Sequence, residues 1–419
     1  MNRIAVVAFI IFVIIPVFSD AVPAGQQDPG KPGEDPILTL ELGDPMFRGQ
    51  FVSAAPGEII SAKAGGAVDF DSMIRDMADS RFVHVGETHN SLPMHEVQLR
   101  VLQGLYAQDP HIALGLEMFP STLQPVLDRF NAGEFDLEEF VRAVRWYETW
   151  NFNFGYYRDI FAFALEKGIP VHGINTPREI ISRIRMKGWA SLEDEEKALV
   201  PEPDLSNEDH RTLVRAIFES LDLPPQMKGG GLDMVFEGLY RSQAAWDEVM
   251  ATAAVRAAEK DGRRMVVLAG SGHLLYNLGL NRRAFEKTGQ PFLTVVCVPV
   301  PDGQPSVRVA RGLADFIWGI AAEKRPAYPD VGLTLRKIDG LDNLVVDPQP
   351  SSGVARGAAF VKGDVILDAD GLTFNDINEL RIYLARFDWG EEAHFRVLRN
   401  ARVENVTLHF EMPVEKEEE

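Results

Sequence analysis

The sequence predicts an α/β protein: a mostly parallel sheet flanked by helices with a helical insertion, followed by a small β-rich module at the C-terminus. Apolar runs bounded by glycines recur along the chain, with helix-length segments between them. That pattern is typical of parallel strands that are buried on both faces. The 419 residues also exceed one typical domain, and 46% hydrophobic with 25% charged residues is a globular composition.

The strands and helices of the large domain follow from these runs. Strands are predicted at 82–85, 112–116, 170–174, 265–269 and 292–298. Helices are predicted at 92–107, 121–130, 135–147, 156–167, 178–187, 207–221 and 242–260, where apolar residues recur at helical spacing. Between 188 and 240 the chain is acidic and helical, which indicates an inserted lobe over the sheet.

The N-terminus has the pattern of a targeting segment. Arg3 precedes an apolar run from Ile4 to Phe18, and small residues follow at positions where a signal peptidase would cut. This run is shorter than the about 20 residues that span a bilayer. We therefore expect a signal peptide over 1–24 and an exported protein of the periplasm or cell envelope, with an uncleaved anchor as the alternative. Residues 25–60 are predicted to form a flexible leader.

Charge and cysteine content exclude several classes of protein. The chain has 42 Lys and Arg against 62 Asp and Glu, a net charge of −20. This argues against nucleic acid and against a polybasic membrane surface as partners. The single cysteine, Cys297, excludes an internal disulfide framework and any multi-cysteine zinc site.

Polar side chains follow four of the predicted strands. The carboxyl ends of parallel strands meet at one edge of a sheet, where ligands bind. The first strand is followed by Gly86-Glu87-Thr88-His89, and the others by Glu117, Asn175 and Gly270-Ser271-Gly272-His273, while His95 lies on the helix after His89. Such a cluster could ligate a divalent metal, act as a general acid/base pair, or offer an axial ligand to haem iron.

Other residues favour simpler interpretations. His84 and His172 lie within strands and are predicted to be core residues. The chain has no Gly-x-Ser-x-Gly elbow, and Cys297 lies inside an apolar strand. Hydrolysis through a serine or thiol nucleophile is therefore disfavoured.

Five blocks in the same order resemble the ChaN-type haem-binding uptake family, which shares a superfamily with Tiki metalloproteases and erythromycin esterases. The blocks are FVHVGETHNSLPMHEVQLRVLQGL, ALGLEMFPSTLQPVLDRF, GIPVHGINTPREIISRI, SQAAWDEVMA and VVLAGSGHLLYNLGLNRR. The resemblance implies a haem-binding domain, here predicted over 61–325. In the Tiki branch the Gly86 to His89 motif implies a metal-dependent peptidase instead. Its metal ligands and catalytic residues would then be Glu87, His89, Glu117 and His273.

The resemblance implies haem, but it leaves the iron ligand open. The candidates are His89, His95, Tyr157 and His273. Arg178 and Arg282 would meet the propionates, and the aromatic segment 146–157 (WYETWNFNFGYY) would either face the porphyrin or form core. A homodimer that encloses the haem is an open alternative to a monomer.

The C-terminal module, predicted over 329–412, resembles a bacterial PDZ domain. The resemblance is carried by Val331 to Leu335 and by VKGDVILDADGLTFNDINELRIYLARF. It implies that the groove beside the helix 375–387 binds an extended peptide by its terminal carboxylate, with the loop of Gly332 and Leu333 supplying backbone N–H groups. A purely structural module is the alternative. Residues 413–419 are predicted to be a solvated acidic tail.

Together these features predict an exported protein that binds haem in iron uptake or trafficking and recruits a peptide or protein through its PDZ module. The alternative is a Tiki-like metal-dependent peptidase at the same strand-end cluster. A scaffold in which only the PDZ groove works is a third reading.

Overall fold

The computed structural model describes residues 35–221, 232–338, 340 and 342–411. The predicted signal peptide, the leader up to residue 34 and the acidic tail lie outside these residues. Within them, no helix is both long and apolar enough to cross a membrane. The chain forms two compact units. One comprises the chain up to Glu134 together with Ile160–Lys324, and the other comprises Phe135–Asp159 together with the chain from Arg325 onward.

The regular elements of both units, in chain order, are as follows. The strands are β1 (Phe51–Ala54), β2 (Ile59–Ser61), β3 (Gly66–Val68), β4 (Phe82–Glu87), β5 (Ile112–Pro120), β6 (Val171–Asn175), β7 (Arg264–Gly270), β8 (Phe292–Val300), β9 (Val307–Ala310), β10 (Phe316–Ala321), β11 (Leu335–Lys337), β12 (Leu344–Val346), β13 (Val365–Ala369), β14 (Glu392–Arg399) and β15 (Arg402–His409). The helices are α1 (Phe70–Asp76), α2 (Leu92–Gln108), α3 (Gln124–Asn131), α4 (Leu137–Ala143), α5 (Trp146–Thr149), α6 (Arg158–Lys167), α7 (Arg178–Lys187), α8 (Asp194–Leu199), α9 (Glu208–Ser220), α10 (Leu232–Asp261), α11 (Leu280–Thr288) and α12 (Ile377–Leu384).

The first unit is built on an eight-stranded sheet in the order β3-β2-β10-β8-β4-β7-β5-β6. The six strands from β10 to β6 are parallel, and β2 and β3 add an antiparallel edge. The predicted mostly parallel α/β fold is confirmed: four of the five predicted strands lie within observed ones, and the fifth, 170–174, is observed one residue later at 171–175.

Both faces of the central strand β4 are covered. All six of its residues are buried. On one face, Phe82 packs in a cluster with Met265 and Val267 of β7 and with apolar residues of α10 such as Met250 and Ala254. Burial on both faces explains why these strands are continuous apolar runs in the sequence. It also leaves the carboxyl ends of the strands as the place where polar side chains can gather.

The outer strand β6 has its open edge closed by two side-chain amides of α3. Asn131 accepts from Val171 N (2.8 Å) and donates to Val171 O (3.1 Å). Gln124 accepts from Gly173 N (3.0 Å) and also donates to Val171 O. These bonds satisfy backbone groups that an edge strand would otherwise offer to another chain.

The structure differs from the predicted flexible leader over residues 35–60. Ile37, Leu42 and Ala54 are buried in one cluster with residues of β8 and β9. Tyr276 donates a hydrogen bond to Ile37 O (2.7 Å), and β1 pairs with β9. The apolar residues of this segment bury enough surface to hold it in the fold, although its Gly and Pro content had suggested a linker.

The second unit contains a five-stranded antiparallel sheet, in the order β11-β12-β13-β14-β15, with α12 packed beside it. Its core includes Leu344, Ile366, Leu380 and Phe395. The predicted β-rich module is therefore confirmed. Segment 135–159, which the sequence placed in the large domain, is compact with this module instead.

Candidate functional site

The end of β4 delivers a carboxylate and an imidazole that are bonded to each other. Glu87 is the last residue of the strand, and His89 follows it in the loop before α2. Glu87 Oε1 and His89 Nδ1 are 2.6 Å apart, and both residues are buried. Burial disfavours the charged imidazole, but the charges of Glu87 and Glu117 together raise the pKa of His89.

His95, on the first turn of α2, also contacts Glu87 and the backbone of His89. Its Nδ1 lies 2.9 Å from Gln98 Oε1, and its Nε2 lies 3.3 Å from His89 O and 3.5 Å from Glu87 Oε2. Gln98 is anchored in turn on Val85 O (3.1 Å). Both ring nitrogens of His95 are therefore occupied, so this residue holds the Glu87 loop in place and would have to break these bonds to ligate iron.

Glu117 of β5 and His273, just after β7, form the second half of the cluster. Glu117 Oε2 accepts from Gly270 N (2.6 Å), and Glu117 Oε1 lies 3.4 Å from His273 Nε2. A Cβ at Gly270 would lie 3.1 Å from His89 Cε1 and 3.5 Å from Glu117 Oε2. Glycine at this position therefore lets the two halves approach each other across neighbouring strands.

Asp247 and His210 extend the cluster into the helices, and the sequence reasoning missed both. Asp247 of α10 is fully buried, with Oδ1 2.6 Å from His273 Nδ1 and Oδ2 3.1 Å from His210 Nε2 of α9. Gln243, one turn earlier on α10, lies 2.8 Å from His273 Nδ1. One sequence feature could have indicated this extension: Gln243 and Asp247, four residues apart, interrupt the apolar face of an otherwise alanine-rich helix.

The cluster is strongly charged. Burial opposes protonation of His273, but Glu117 and Asp247 raise its pKa to about 10. Burial likewise opposes ionisation of the two carboxylates, yet the charge of His273 lowers the pKa of Glu117 and of Asp247 to about 2 each. At neutral pH the centre is thus an imidazolium held between two carboxylates.

The most exposed residues around the cluster could meet a ligand. The side chain of His273 is 12% exposed, more than that of His89 or His95. The Trp246 ring stands edge-on to it, with ring centroids 6.4 Å apart. Arg178 is exposed at the start of α7 and within electrostatic range of Glu117.

Of two other predicted residues, Arg282 lies apart from these contacts and Asn175 contacts only the backbone of Glu117. Arg282 is exposed on α11 and pairs with Glu286, one turn along the same helix (3.4 Å). Asn175, at the end of β6, donates to Glu117 O (2.8 Å) and so ties the ends of β5 and β6 together.

Tyr157 belongs to the second unit and lies in an aromatic cluster. It is 1% exposed, and its hydroxyl accepts from Trp150 Nε1 (2.9 Å). The Trp146 ring stands edge-on to it at 5.2 Å. This packing favours the core interpretation of the aromatic segment, since iron would have to displace the Trp150 bond from a buried hydroxyl.

The predicted carboxylate loop of the second unit precedes β11. Gly332 has φ +64°, and a Cβ there would collide with Ser352 O. Gly332 N donates to Asp330 Oδ1 (3.1 Å), and Leu333 is buried in the core of the module.

The predicted metal set does not have the geometry of a metal centre. Among the residues that the structure describes, no group of three or more His, Cys, Asp or Glu side chains is arranged to hold a metal ion. Glu87, His89, Glu117 and His273 instead pair with one another, so their donor atoms point at each other rather than at a common centre.

The fold and this site define a class: an α/β domain with a buried histidine–carboxylate cluster at the carboxyl ends of its strands, joined to a small antiparallel module. The family model described as "Haem-binding uptake, Tiki superfamily, ChaN" matches residues 73–283. The chain belongs to this family. The PDZ domain model matches residues 329–410.

Three solved structures are similar to parts of this chain. A structure of ChaN of Campylobacter jejuni with cofacially bound haem is 19% identical, covers 62% of this chain and 95% of its own, and has a TM-score of 0.50. An erythromycin esterase in its open conformation is 13% identical over 62% of this chain and 83% of its own, with a TM-score of 0.36. The HtrA-type protease AlgW with a decapeptide is 24% identical over 20% of this chain and 29% of its own, with a TM-score of 0.19. No curated protein matches the chain.

Proposed function

We propose that this protein binds haem at the strand-end cluster and takes part in haem or iron uptake or trafficking, while its PDZ module recruits a peptide or protein. The observation that carries the proposal is the match of half the chain to a haem-binding uptake family, in a domain whose strand ends bring together His89, Glu117 and His273. The ChaN structure of similar fold was solved with haem.

The most exposed residues around the cluster, His273 and Arg178, fit haem in their chemistry. Iron requires an imidazole or phenolate ligand, and the propionates require cations. His273 is the most exposed imidazole of the cluster, and Asp247 holds its Nδ1. A carboxylate at that nitrogen fixes the ring and strengthens the other nitrogen as a donor. To hold the iron, His273 would have to give up its Nε2 proton and its contact with Glu117 Oε1 (3.4 Å), and Arg178 would meet a propionate.

The other predicted ligands fit less well. The side chain of His95 is 1% exposed, against 12% for His273, and Tyr157 is buried against Trp150. His89 is 5% exposed and bonded to Glu87, so it is less accessible to haem iron than His273. Bound haem would supply redox or storage chemistry, while the chain's own residues orient the ligand and balance its charge.

Export is part of the proposal. The apolar segment Ile4 to Phe18 with its short basic start supports a signal peptide and a location in the periplasm or cell envelope. Haem uptake in the envelope would suit such a protein, and a homodimer that encloses the haem stays a prediction.

An absorption titration tests haem binding. Haem added to the purified protein is expected to give a saturable Soret shift. A Soret band that only follows free haem, with no saturation, would contradict the proposal.

A second candidate is hydrolysis at the same cluster. The observation that favours it is two adjacent groups of bonded imidazoles and carboxylates, Glu87 with His89 and Glu117 with His273 and Asp247, which resemble acid–base machinery. A divalent metal would have to replace the bonds within the cluster. Metal analysis of purified protein and a peptide-cleavage assay, with Glu87→Gln as the inactive control, decide between the two. Cleavage that stops in Glu87→Gln would favour the hydrolase.

A further inference from the structure

The second unit has a place for an extended peptide between β11 and α12. β11 is an edge strand of the five-stranded sheet, and α12 lies beside it. A PDZ module binds its ligand by adding it to such an edge. The loop of Gly332 and Leu333 leads into this strand. We call the space between β11 and α12 the groove.

Another part of the same chain is bound along α12. We call residues 142–156 the clasp segment. Tyr147 N donates to Asn378 Oδ1 (3.0 Å), and Arg381 Nη1 donates to Tyr147 O (2.6 Å). Asn378 and Arg381 lie one turn apart on one side of α12. Together they bind both backbone polar groups of a single residue, as a receptor does with a peptide.

Further contacts extend the clasp segment along the whole helix. Arg145 pairs with Asp376, the N-cap of α12 (2.9 Å), and Arg142 lies 3.4 Å from Glu379. At the other end, Asn153 Nδ2 donates to Ala385 O (3.3 Å). Asn151 Oδ1 accepts a second bond from Arg381.

The clasp segment also contacts the chain that leads into the carboxylate loop. Tyr328 N donates to the Tyr156 hydroxyl (3.3 Å), and the two rings stand edge-on at 4.9 Å. A Cβ at Gly155 would lie 2.3 Å from Tyr328 Cζ, so only glycine permits this approach. The same side of α12 faces the loop, because Arg381 lies within electrostatic range of both Asp330 and Glu148 of the clasp segment. The clasp segment therefore touches α12 and, through Tyr328, the chain that leads into the carboxylate loop.

We propose that the clasp segment closes the groove, and that a peptide with a free C-terminal carboxylate binds only after this segment leaves α12. The inference rests on the peptide-recruiting half of the proposed function. The ion pairs of Arg142 and Arg145 with α12 are partly exposed, so each contributes little to closure. The bond from Tyr147 N to Asn378 Oδ1 is buried, so its loss supplies the main cost of opening. The backbone N–H of Gly332 in the carboxylate loop is also occupied, because it donates to Asp330 of the same loop.

Release of the clasp segment tests the proposal. Arg145 (φ +51°) and Asn151 (φ +74°) lie in the left-handed region, so glycine there keeps the backbone and removes the contacts to Asp376 and Arg381. The double variant R145G/N151G is compared with the wild-type full chain. The control is Arg129→Ala, which removes an exposed arginine that is paired with Glu134 in the first unit.

The probes are fluorescein-labelled decapeptides with free carboxylates that end in Ala, Val, Leu or Phe, followed by fluorescence anisotropy. The double variant is expected to bind at least one of them about tenfold or more tightly than the wild type and the control. Hydrogen exchange on the wild type is the second measurement, because it needs no variant. Saturating peptide is expected to accelerate exchange of the Tyr147 amide.

Each outcome has a distinct meaning. Equal affinities for the wild type and the double variant, with unchanged exchange at Tyr147, would overturn closure of the groove and leave peptide recruitment intact. No binding by either form would overturn both closure and the peptide-recruiting half of the proposed function. Haem binding is measured separately and is unaffected by either result.

Discussion

Asp247 Oδ1 lies 2.6 Å from His273 Nδ1, so a fully buried carboxylate on α10 holds the imidazole at the end of β7. The pair joins a helix to the strand-end edge and fixes which nitrogen of His273 faces Glu117. In many sites a carboxylate that is hydrogen-bonded to one ring nitrogen of a histidine orients the imidazole and favours its charged form. Asp247 is therefore a positioning residue for the proposed haem site.

Asp247→Asn is expected to lower the pKa of His273, which the wild type holds at about 10. Because the folded pKa lies above the unfolded value of 6.5, this stabilisation is complete below pH 6.5 and lost as the pH rises through about 10. The variant should lose about 3 kcal/mol of unfolding free energy at pH 6 and less at pH 10. NMR titration and denaturation at the two pH values measure this.

The control for this experiment is Asp261→Asn, which removes the 2.6 Å partner of His172 away from the cluster. It should leave the His273 titration unchanged. A wild-type His273 that titrates near 6.5 would contradict the charged cluster.

His84→Leu is expected to stabilise the protein. His84 is fully buried in β4, neither of its ring nitrogens has a hydrogen-bond partner among the residues that the structure describes, and the rings of Phe82 and Phe292 pack against it. An unpaired buried polar group costs about 1–3 kcal/mol. The variant should therefore unfold at higher denaturant concentration at pH 7, whereas His111→Leu, an exposed control, should not.

His84→Leu should also change how the stability of the protein depends on pH below 6.5. Burial lowers the pKa of His84 to about 3. The unfolded chain then takes up a proton below pH 6.5 that the folded chain refuses, so this residue costs stability as the pH falls from 6.5 toward 3. The advantage of His84→Leu should grow over that range, and a constant difference would contradict the assignment.

Asp315→Asn tests a titration of the opposite sign. Burial raises the pKa of Asp315 to about 6, although its carboxylate accepts from Thr294 N (2.9 Å) and Asn277 (3.2 Å). The folded chain holds this proton more tightly than the unfolded chain. Its contribution to stability is therefore present below pH 3.8 and lost as the pH rises through 6. The unfolding free energy of the variant, relative to wild type, should increase between pH 4 and 7, and a flat difference would refute this.

Asn131→Ala is expected to open the edge of β6. Val171 N loses its partner, while Val171 O keeps the bond from Gln124 (3.2 Å), which should cost about 1–3 kcal/mol of unfolding free energy. Urea denaturation and sedimentation measure the loss of stability and any new self-association. Gln103→Ala, an exposed amide on α2, is the control. Equal stability of the two variants would show that the Asn131 hydrogen bonds to Val171 contribute nothing to the free energy of unfolding.

The sequence was sufficient to predict the sheet and most of the strand-end cluster. Buried parallel strands are continuous apolar runs, so the polar residues that follow them, such as Glu87 and His273, stand out. Asp247 and His210 could not be identified in the same way. An acidic residue on a helix has the same local pattern whether it is solvated or buried, and only tertiary packing decides.

Two further features depend on contacts between distant parts of the chain. The leader from residue 35 is ordered because Ile37 and Leu42 pack beside β8 and β9. Segment 135–159 binds α12 through pairs more than 200 residues apart, such as Tyr147 and Asn378. No local periodicity indicates such partners.

The central claim is that the strand-end cluster binds haem through His273. Its most direct test is a haem titration of wild type, His273→Ala and His172→Ala, followed by the Soret band and by electron paramagnetic resonance of the ferric complex. The account predicts saturable binding in wild type and His172→Ala, with at least about tenfold weaker binding and a changed axial-ligand signal in His273→Ala. Identical spectra and affinities in all three proteins would contradict His273 as the ligand, and absence of saturable binding in the wild type would contradict the claim itself.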